Sequence, residues 1–417
     1  GTAFLHSVMI QEKRNMLKIW NIVLIILTFG LTILGTFLTR SGIINSVHAF
    51  TQSEIGPAFL IFLALVLVIG FALLFKRIQM LESEYKIESV LCRENVFLAQ
   101  NVLLVGIAFT VLLGTTFPLL AEAVRGTKLS IQAPFFNTII APMGYMLLLL
   151  MGIGMLIAWR KSSWEGLRRN FKNPLILATA GTVFLGWFLS DRDLLWSVHT
   201  IFWLAIFVTS TIVLEITKAV QVRSKQTESN YLTGLFYVIA RNPRRYGGLM
   251  IHFGVVLMFL GFAGTFFKVE QNMTLESGIA QPIGEYSLEF QQVEEFQVGN
   301  ATHRAAIIKV FDKQGDLLEV MKPAKSFYPT QPQPLTEVAI RRSFLEDLYL
   351  IFSSENGGEK DSITLRVFIN PLIGWAWMAL PVFTLGVGLS LTYKPKSLVS
   401  HETILRERYL AAQALNS

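Results

Sequence analysis

Six histidines are spread over 417 residues, and two of them stand where an imidazole can do chemistry. His6 lies six residues before Glu12, where an apolar run gives way to Gln11-Glu12-Lys13-Arg14. His252 lies six residues after Tyr246, where another apolar run begins. At about 1.5 Å per helical residue, each is roughly 9 Å from the polar end of its run. Ionisable groups inside a membrane are costly and usually functional. Two imidazoles on different helices at one depth supply the axial pair that a bis-histidine haem requires. The competing reading is two separate histidines, each hydrogen-bonded to a neighbouring helix. No apolar run carries two histidines, which disfavours a cytochrome b subunit of the quinol-oxidising kind, where one helix usually supplies both ligands.

His48 sits in a connection, Thr39-Arg-Ser-Gly-Ile-Ile-Asn-Ser-Val-His-Ala-Phe50. It reads either as an axial ligand for a haem at the outer face or as a solvated loop residue, and the loop alone favours the second. Arg40 offers a planar two-pronged donor suited to a carboxylate such as a haem propionate. Its competing reading is an arginine snorkelling to the interface. His199 reads as a satisfied interfacial histidine, and His303 and His401 join no constellation. Cys92 is the only cysteine, so neither a disulfide nor a cysteine metal site can form within the chain. A buried or interfacial spectator is its expected role.

These positions need a bilayer around them. Hydrophobic residues make up 52% and charged residues 16% of the sequence, against roughly 25% charged in soluble domains. A spanning helix needs about 20 apolar residues. Eight such runs occur, at 17–38, 55–75, 96–120, 139–159, 174–189, 194–214, 247–267 and 368–391, the fifth being the shortest. Residues 1–12 read as the end of a transmembrane helix whose beginning is absent, so the sequence reads as an N-terminally truncated piece. No charged stretch followed by a short apolar core and a cleavage site is present, and the spans themselves are expected to direct insertion. With residues 12–18 placed inside, the inside segments collect 22 of the 36 Lys and Arg. Ten of the other 14 fall in one long outside segment, which the positive-inside rule largely ignores. The net charge of +7 is thus a topology signal and implies no nucleic acid.

That long segment, 268–367, changes character. Alternating β-branched stretches at 286–290, 306–311, 317–321, 337–340, 348–352 and 363–368 are divided by turn signals such as Asp312-Lys-Gln-Gly315 and Glu355-Asn-Gly-Gly358. The expected fold is an all-α polytopic membrane protein of eight complete transmembrane helices plus a truncated first one, with a small outer-side β domain. In order, these are the helix end 1–12, a membrane domain 13–267 with seven spans, the β domain 268–367, a last span 368–392 and an inner tail 393–417. The inner connection 218–246 contains an amphipathic stretch, 231–240, expected to lie along the membrane surface.

The residues then resemble a family. Thr2-Ala-Phe-Leu-His-Ser-Val-Met-Ile-Gln-Glu-Lys-Arg14, Leu34-Gly-Thr-Phe-Leu-Thr-Arg-Ser-Gly42, Ser46-Val-His-Ala-Phe50, Arg93-Glu94, Gly114-Thr-Thr-Phe-Pro118, Phe136-Asn137, Asn242-Pro-Arg-Arg-Tyr-Gly-Gly248 and Ile251-His-Phe-Gly254 are similar to the CcmF family of bacterial cytochrome c maturation proteins and its nitrite-reductase-specific relatives. The resemblance implies a haem lyase subunit of the bacterial inner membrane. Such a subunit accepts haem from the periplasmic chaperone CcmE. It helps join that haem to Cys-x-x-Cys-His motifs of apocytochromes c, presented by CcmH and CcmI. It also implies a permanent haem b on His6 and His252, with His48 as an outer ligand to the transferred haem. The family's tryptophan-rich haem segment, with its Trp-Trp-Asp core, is not among these residues. A lyase supplies no nucleophile of its own, so a single cysteine is no objection. Taken without the resemblance, the histidine pattern also fits a haem exporter or channel lacking ligation activity, or a solute transporter with incidental histidines.

Overall fold

The structure, a computed structural model, describes residues 1–41, 55–83, 87–126, 129, 131–188, 196–329, 333–356 and 362–393. The chain divides into two compact units, Gly1–Thr179 and Ala180–Ser417.

In the first unit, α1 (Thr2–Arg14) and α2 (Lys18–Arg40) form a tight helical hairpin. Asn15 ends α1 in the left-handed region at φ 53° and returns its N–H to the Gln11 carbonyl at 2.8 Å, a conformation asparagine tolerates better than most residues. Asn21 Nδ2 then donates to Gln11 Oε1 at 2.6 Å, tying the two helices. After them come α3 (Ile55–Lys76), α4 (Arg93–Arg125), α5 (Ala133–Leu156) and α6 (Trp164–Phe188), which runs across the unit boundary. α3 shows why the solvent must be lipid. Ile61, Leu65, Val68, Ile69 and Phe75 are all exposed on it, far more apolar surface than a water-soluble helix carries.

Among the described residues, seven helices are long and apolar enough to cross a membrane: α2, α3, α4, α5, α7 (Trp196–Thr227), α9 (Pro243–Ala263, continued by a 3₁₀ turn to Phe267) and α10 (Ile373–Leu391). Of the eighth expected run, 174–189, residues 174–188 fall in α6 and the last lies outside the described residues. That helix opens with Glu165, Arg168, Arg169 and Lys172, and its apolar part is correspondingly short. The chain is a multi-pass membrane protein.

In the second unit, α8 (Tyr231–Arg241) links α7 to α9, and a β domain is inserted between α9 and α10. Gly247, Gly254 and Gly261 recur every seventh residue along the α9 face against α10. A β-carbon on Gly254 would stand 2.8 Å from Phe383 and one on Gly261 2.7 Å from Ala376, while one on Gly247 would run into the Gly386 carbonyl and Ser390. Small residues of this kind let membrane helices approach backbone to backbone. Gly247→Ala is therefore expected to destabilise the protein by about 1–3 kcal/mol, seen as a lower thermal midpoint in detergent. The adjacent Gly248 meets nothing within 4 Å, so Gly248→Ala is expected to be neutral or stabilising by up to about 1 kcal/mol. Equal losses at both positions would remove the seam as the explanation.

The β domain pairs its entry strand β1 (Val269–Glu276) with its exit strand β10 (Ser362–Pro371), which places the strands joined to α9 and α10 side by side. One antiparallel sheet runs β1-β10-β9-β8, with β8 Ala339–Arg342 and β9 Glu346–Asn356. The other runs β2-β3-β4-β6-β7 (Ala280–Ile283, Tyr286–Val298, Ala301–Phe311, Ala324–Phe327, Leu335–Glu337), with β5 (Leu317–Met321) paired to β4. Alternate residues from both sheets, including Leu288, Phe290, Ile308, Val310, Leu350, Leu365 and Val367, meet in one core. The domain extends further than expected, to Pro371. Val367 and Ile369 face the core as strand residues, so the first four residues of the apolar run 368–391 belong to β10 and not to the helix. Leu372 turns the chain at φ 60° before α10 begins.

Candidate functional site

α1 holds His6 half-buried, with Nδ1 2.9 Å from the Thr2 carbonyl oxygen one turn earlier. A carbonyl can only accept, so Nδ1 carries a proton, and the bond fixes the ring through that nitrogen. Imidazoles anchored in this way bind metals through Nε2. The His6 ring meets Phe97 of α4 edge to face, centroids 5.6 Å apart at 81°. Phe97 meets Trp159 at 5.8 Å, and Lys13 Nζ and the Arg93 guanidinium stand 4.8 Å and 5.5 Å from the Trp159 ring. The histidine thus has a rigid aromatic wall on one side, closed by two cations.

The wall is positioned by a polar knot at the start of α4. Arg93 donates from Nε to the Ile157 carbonyl at 3.0 Å and from Nη2 to the Met155 carbonyl at 3.1 Å, satisfying carbonyls that the end of α5 leaves without helical partners. Glu94 is buried and accepts from the Arg160 N–H at 3.2 Å on each oxygen. It also lies 3.2 Å from Arg14 Nε, while Arg14 Nη2 reaches Glu88 at 2.7 Å. α1, α4 and the α5–α6 connection are thereby locked together. In the sequence Arg93-Glu94 carries little signal by itself. The one available clue was an opposite-charge pair at the polar end of an apolar run, where side chains reach neighbouring helix ends.

His252 belongs to the other unit and is half-buried on α9. It lies about 13 Å along α9 from Pro243, and His6 lies about 12 Å along α1 from Arg14. Gly254, on the α10 seam, is two residues further on, so His252 sits roughly 200° around the helix and faces away from that seam.

Arg40 is the exposed last residue of α2. His48 and His401 lie outside the described residues. His199 is half-buried with its ring against Gly186. His303 is structural. Its Nδ1 is 2.8 Å from Ser326 Oγ and 3.2 Å from Glu337 Oε1, Ser326 donates to that same carboxylate, and the ring stacks on Phe296 at 5.4 Å. These contacts join β4, β6 and β7. Cys92 is 1% exposed, and burial pushes its thiol above the ordinary range, which makes it an unreactive spectator.

With this geometry in place, the likenesses to known proteins can be read. Residues 266–371 match the family described as CcmF C-terminal beta-sandwich. Cytochrome c-type biogenesis proteins CcmF of Pseudomonas fluorescens and Haemophilus influenzae are 30% and 32% identical over 90% and 91% of this chain, and over 55% and 57% of their own lengths. The cytochrome c-type biogenesis protein ccl1 of Rhodobacter capsulatus is 31% identical over 94% of the chain and 58% of its own length. A solved structure of cytochrome c heme lyase CcmF superposes with a TM-score of 0.73 at 30% identity, covering 94% of this chain and 57% of that one. The chain therefore spans little more than half the length of the relatives it matches.

Proposed function

We propose, from the premise that the chain belongs to the CcmF family, that it serves as a haem lyase subunit in cytochrome c maturation. The observation that carries the proposal is the anchoring of the His6 ring inside an apolar helix by its Nδ1 bond to the Thr2 carbonyl, the arrangement from which imidazoles ligate through Nε2. His6 and His252 would hold a permanent haem b through its iron, a reading supported by the similar distance of each from the polar end of its own helix. Bound there, a haem b supplies a one-electron centre inside the membrane. His48 is the ligand to the haem being transferred, with Arg40 as the propionate partner.

The lyase reaction itself asks for positioning. A substrate thiol adds across a haem vinyl group: the C–S bond forms at one vinyl carbon, the proton ends on the other, and no net oxidant is consumed. Both thiols come from the Cys-x-x-Cys-His segment of the apocytochrome, because Cys92 is sealed. Haem arrives from the chaperone CcmE, and CcmH and CcmI present the apocytochrome. An absorption spectrum of the purified protein tests the first half of this reading, and covalent haem attachment by the reconstituted complex tests the second.

The reading also requires the β domain on the periplasmic side of the inner membrane, as the distribution of basic residues supports. A cysteine at the exposed Ser354 of β9 is expected to react with an impermeant maleimide when the outer membrane alone is permeabilised. Buried Cys92 should stay silent until the protein is denatured. Protection of Ser354→Cys until the inner membrane is broken would reverse the orientation.

A further inference from the structure

α8 is an eleven-residue helix with two unlike sides. Gly234 and Val238, one turn apart, are buried, and Gly234 lies close against Val220 and Ser224 of α7, where a β-carbon would not fit without movement. Leu232 and Phe236, also one turn apart, are 64% and 73% exposed. Both neighbours of α8, α7 and α9, are helices able to cross a membrane, so a short helix joining them can lay its exposed apolar edge against the bilayer surface. Amphipathic helices in that position bury such residues among headgroups and upper acyl chains.

At the C-terminal part of α8 two guanidinium groups converge on one phenol. Arg223, from the end of α7, stands 3.7 Å above the centre of the Tyr237 ring, and Arg241 Nη1 donates to the Tyr237 hydroxyl oxygen at 2.9 Å. Among the described residues neither arginine has a carboxylate partner, and Arg223 Nε is shut from solvent with no hydrogen-bond acceptor. Arg245 nearby is different, since Glu215 lies 2.7 Å from its Nε. The hydrogen bond from Arg241, with the positive charges of both arginines, holds the Tyr237 hydroxyl below the ordinary phenol range, as an uncompensated positive field does. Like charges gathered without a counter-charge favour an anion between them, and a guanidinium fork matches phosphate geometry.

We propose that Arg223, Tyr237 and Arg241 form a docking site for the phosphate of an anionic phospholipid whose chains lie along Leu232 and Phe236. The occupant is a lipid and not a free anion, because the cationic end and the exposed apolar edge belong to one short helix between two spans. The site has a consequence for the rest of the unit. α8 leads through Asn242 directly into α9, which carries His252, so a bound headgroup steadies the base of the helix that presents that imidazole. The proposal holds whether or not His252 ligates haem, because its test reads lipid binding alone.

The test uses the full chain, purified in detergent, stripped of lipid and titrated with 1-palmitoyl-2-oleoyl phosphatidylglycerol or phosphatidylcholine under native mass spectrometry. The wild type is expected to prefer the phosphatidylglycerol, and Arg223→Gln with Arg241→Gln to weaken its binding by about tenfold or more. The control, Arg168→Gln with Arg169→Gln, removes an exposed basic pair on α6 and should leave binding unchanged. Single Arg241→Gln, on an exposed side chain, carries the test if the double variant does not fold, with a smaller loss in the same direction. Equal binding of the two lipids, or an equal loss in the control, overturns the proposal. Full competition by inorganic phosphate also overturns it, since the site would then take a free anion.

Discussion

His252→Ala is expected to lower the haem bound to the purified protein by about tenfold or more, since loss of a ligand costs at least what loss of a hydrogen-bond partner to a ligand does. Haem that remains should lose its low-spin spectrum, because a single axial histidine leaves the iron with an open position. His6→Ala is expected to behave alike, although the two residues belong to separate units and have different surroundings. His6 rests against Phe97 and the Thr2 carbonyl, whereas His252 lies away from the glycine seam of α9. A packing role would give each substitution its own pattern of thermal destabilisation and no common spectral change. His199→Ala and His303→Ala serve as controls, and both should retain haem. Adding imidazole to either ligand variant is a further check, because the space left by the ring admits the free base and should restore the low-spin bands. Two variants with unchanged haem content and spectrum would leave the histidines as packing residues and remove the permanent haem from the reading.

The membrane helices were legible because lipid imposes one demand, a long apolar run, and composition alone reports it. α2, α3, α4, α5, α7, α9 and α10 each grow from such a run. α6 differs because Arg168, Arg169 and Lys172 lie within its first turns. The β domain was legible where alternation is strong, as at Leu348, Leu350 and Phe352. It was not legible at β1, β2 and β6. β1 carries Glu270, Gln271 and Asn272 before Met273 and Leu275 turn inward, and its strand character comes from pairing with β10 nearly a hundred residues away. Local pattern cannot show a partner so distant.

The histidines were legible as sites because an imidazole in an apolar run is unusual. The groups that back the ring beside His6 were not, because Trp159, Arg93 and Glu94 come together behind Phe97 only through helix packing. Arg93 and Glu94 open α4, and what they satisfy are carbonyl and amide groups at the end of α5. No spacing in the sequence reports which helix end lies beside which.

A polypeptide of these 417 residues, produced alone in cells lacking their own haem lyase, is expected to leave a Cys-x-x-Cys-His reporter without covalent haem. Holding a porphyrin for thioether formation takes an axial ligand, an anchor for the propionates and an apolar surface for the macrocycle to lie on. The first is assigned to His48 and the second to Arg40, whose guanidinium makes charge-assisted pairs with carboxylates. For the third, the sequence holds eight tryptophans but no Trp-Trp-Asp, the core of the family's haem segment. Co-expression with a polypeptide carrying that segment, fused or separate, is therefore expected to restore maturation. In the restored protein, His48→Ala should reduce covalent attachment by about 10²-fold or more, as misplacing a reacting group does. The haem on His6 and His252 should remain, because that pair is assigned to the opposite end of the spans. Maturation by the 417 residues alone would show that a Trp-Trp-Asp segment is not needed. Loss of the permanent haem in the His48 variant would show that the two sites are not separate.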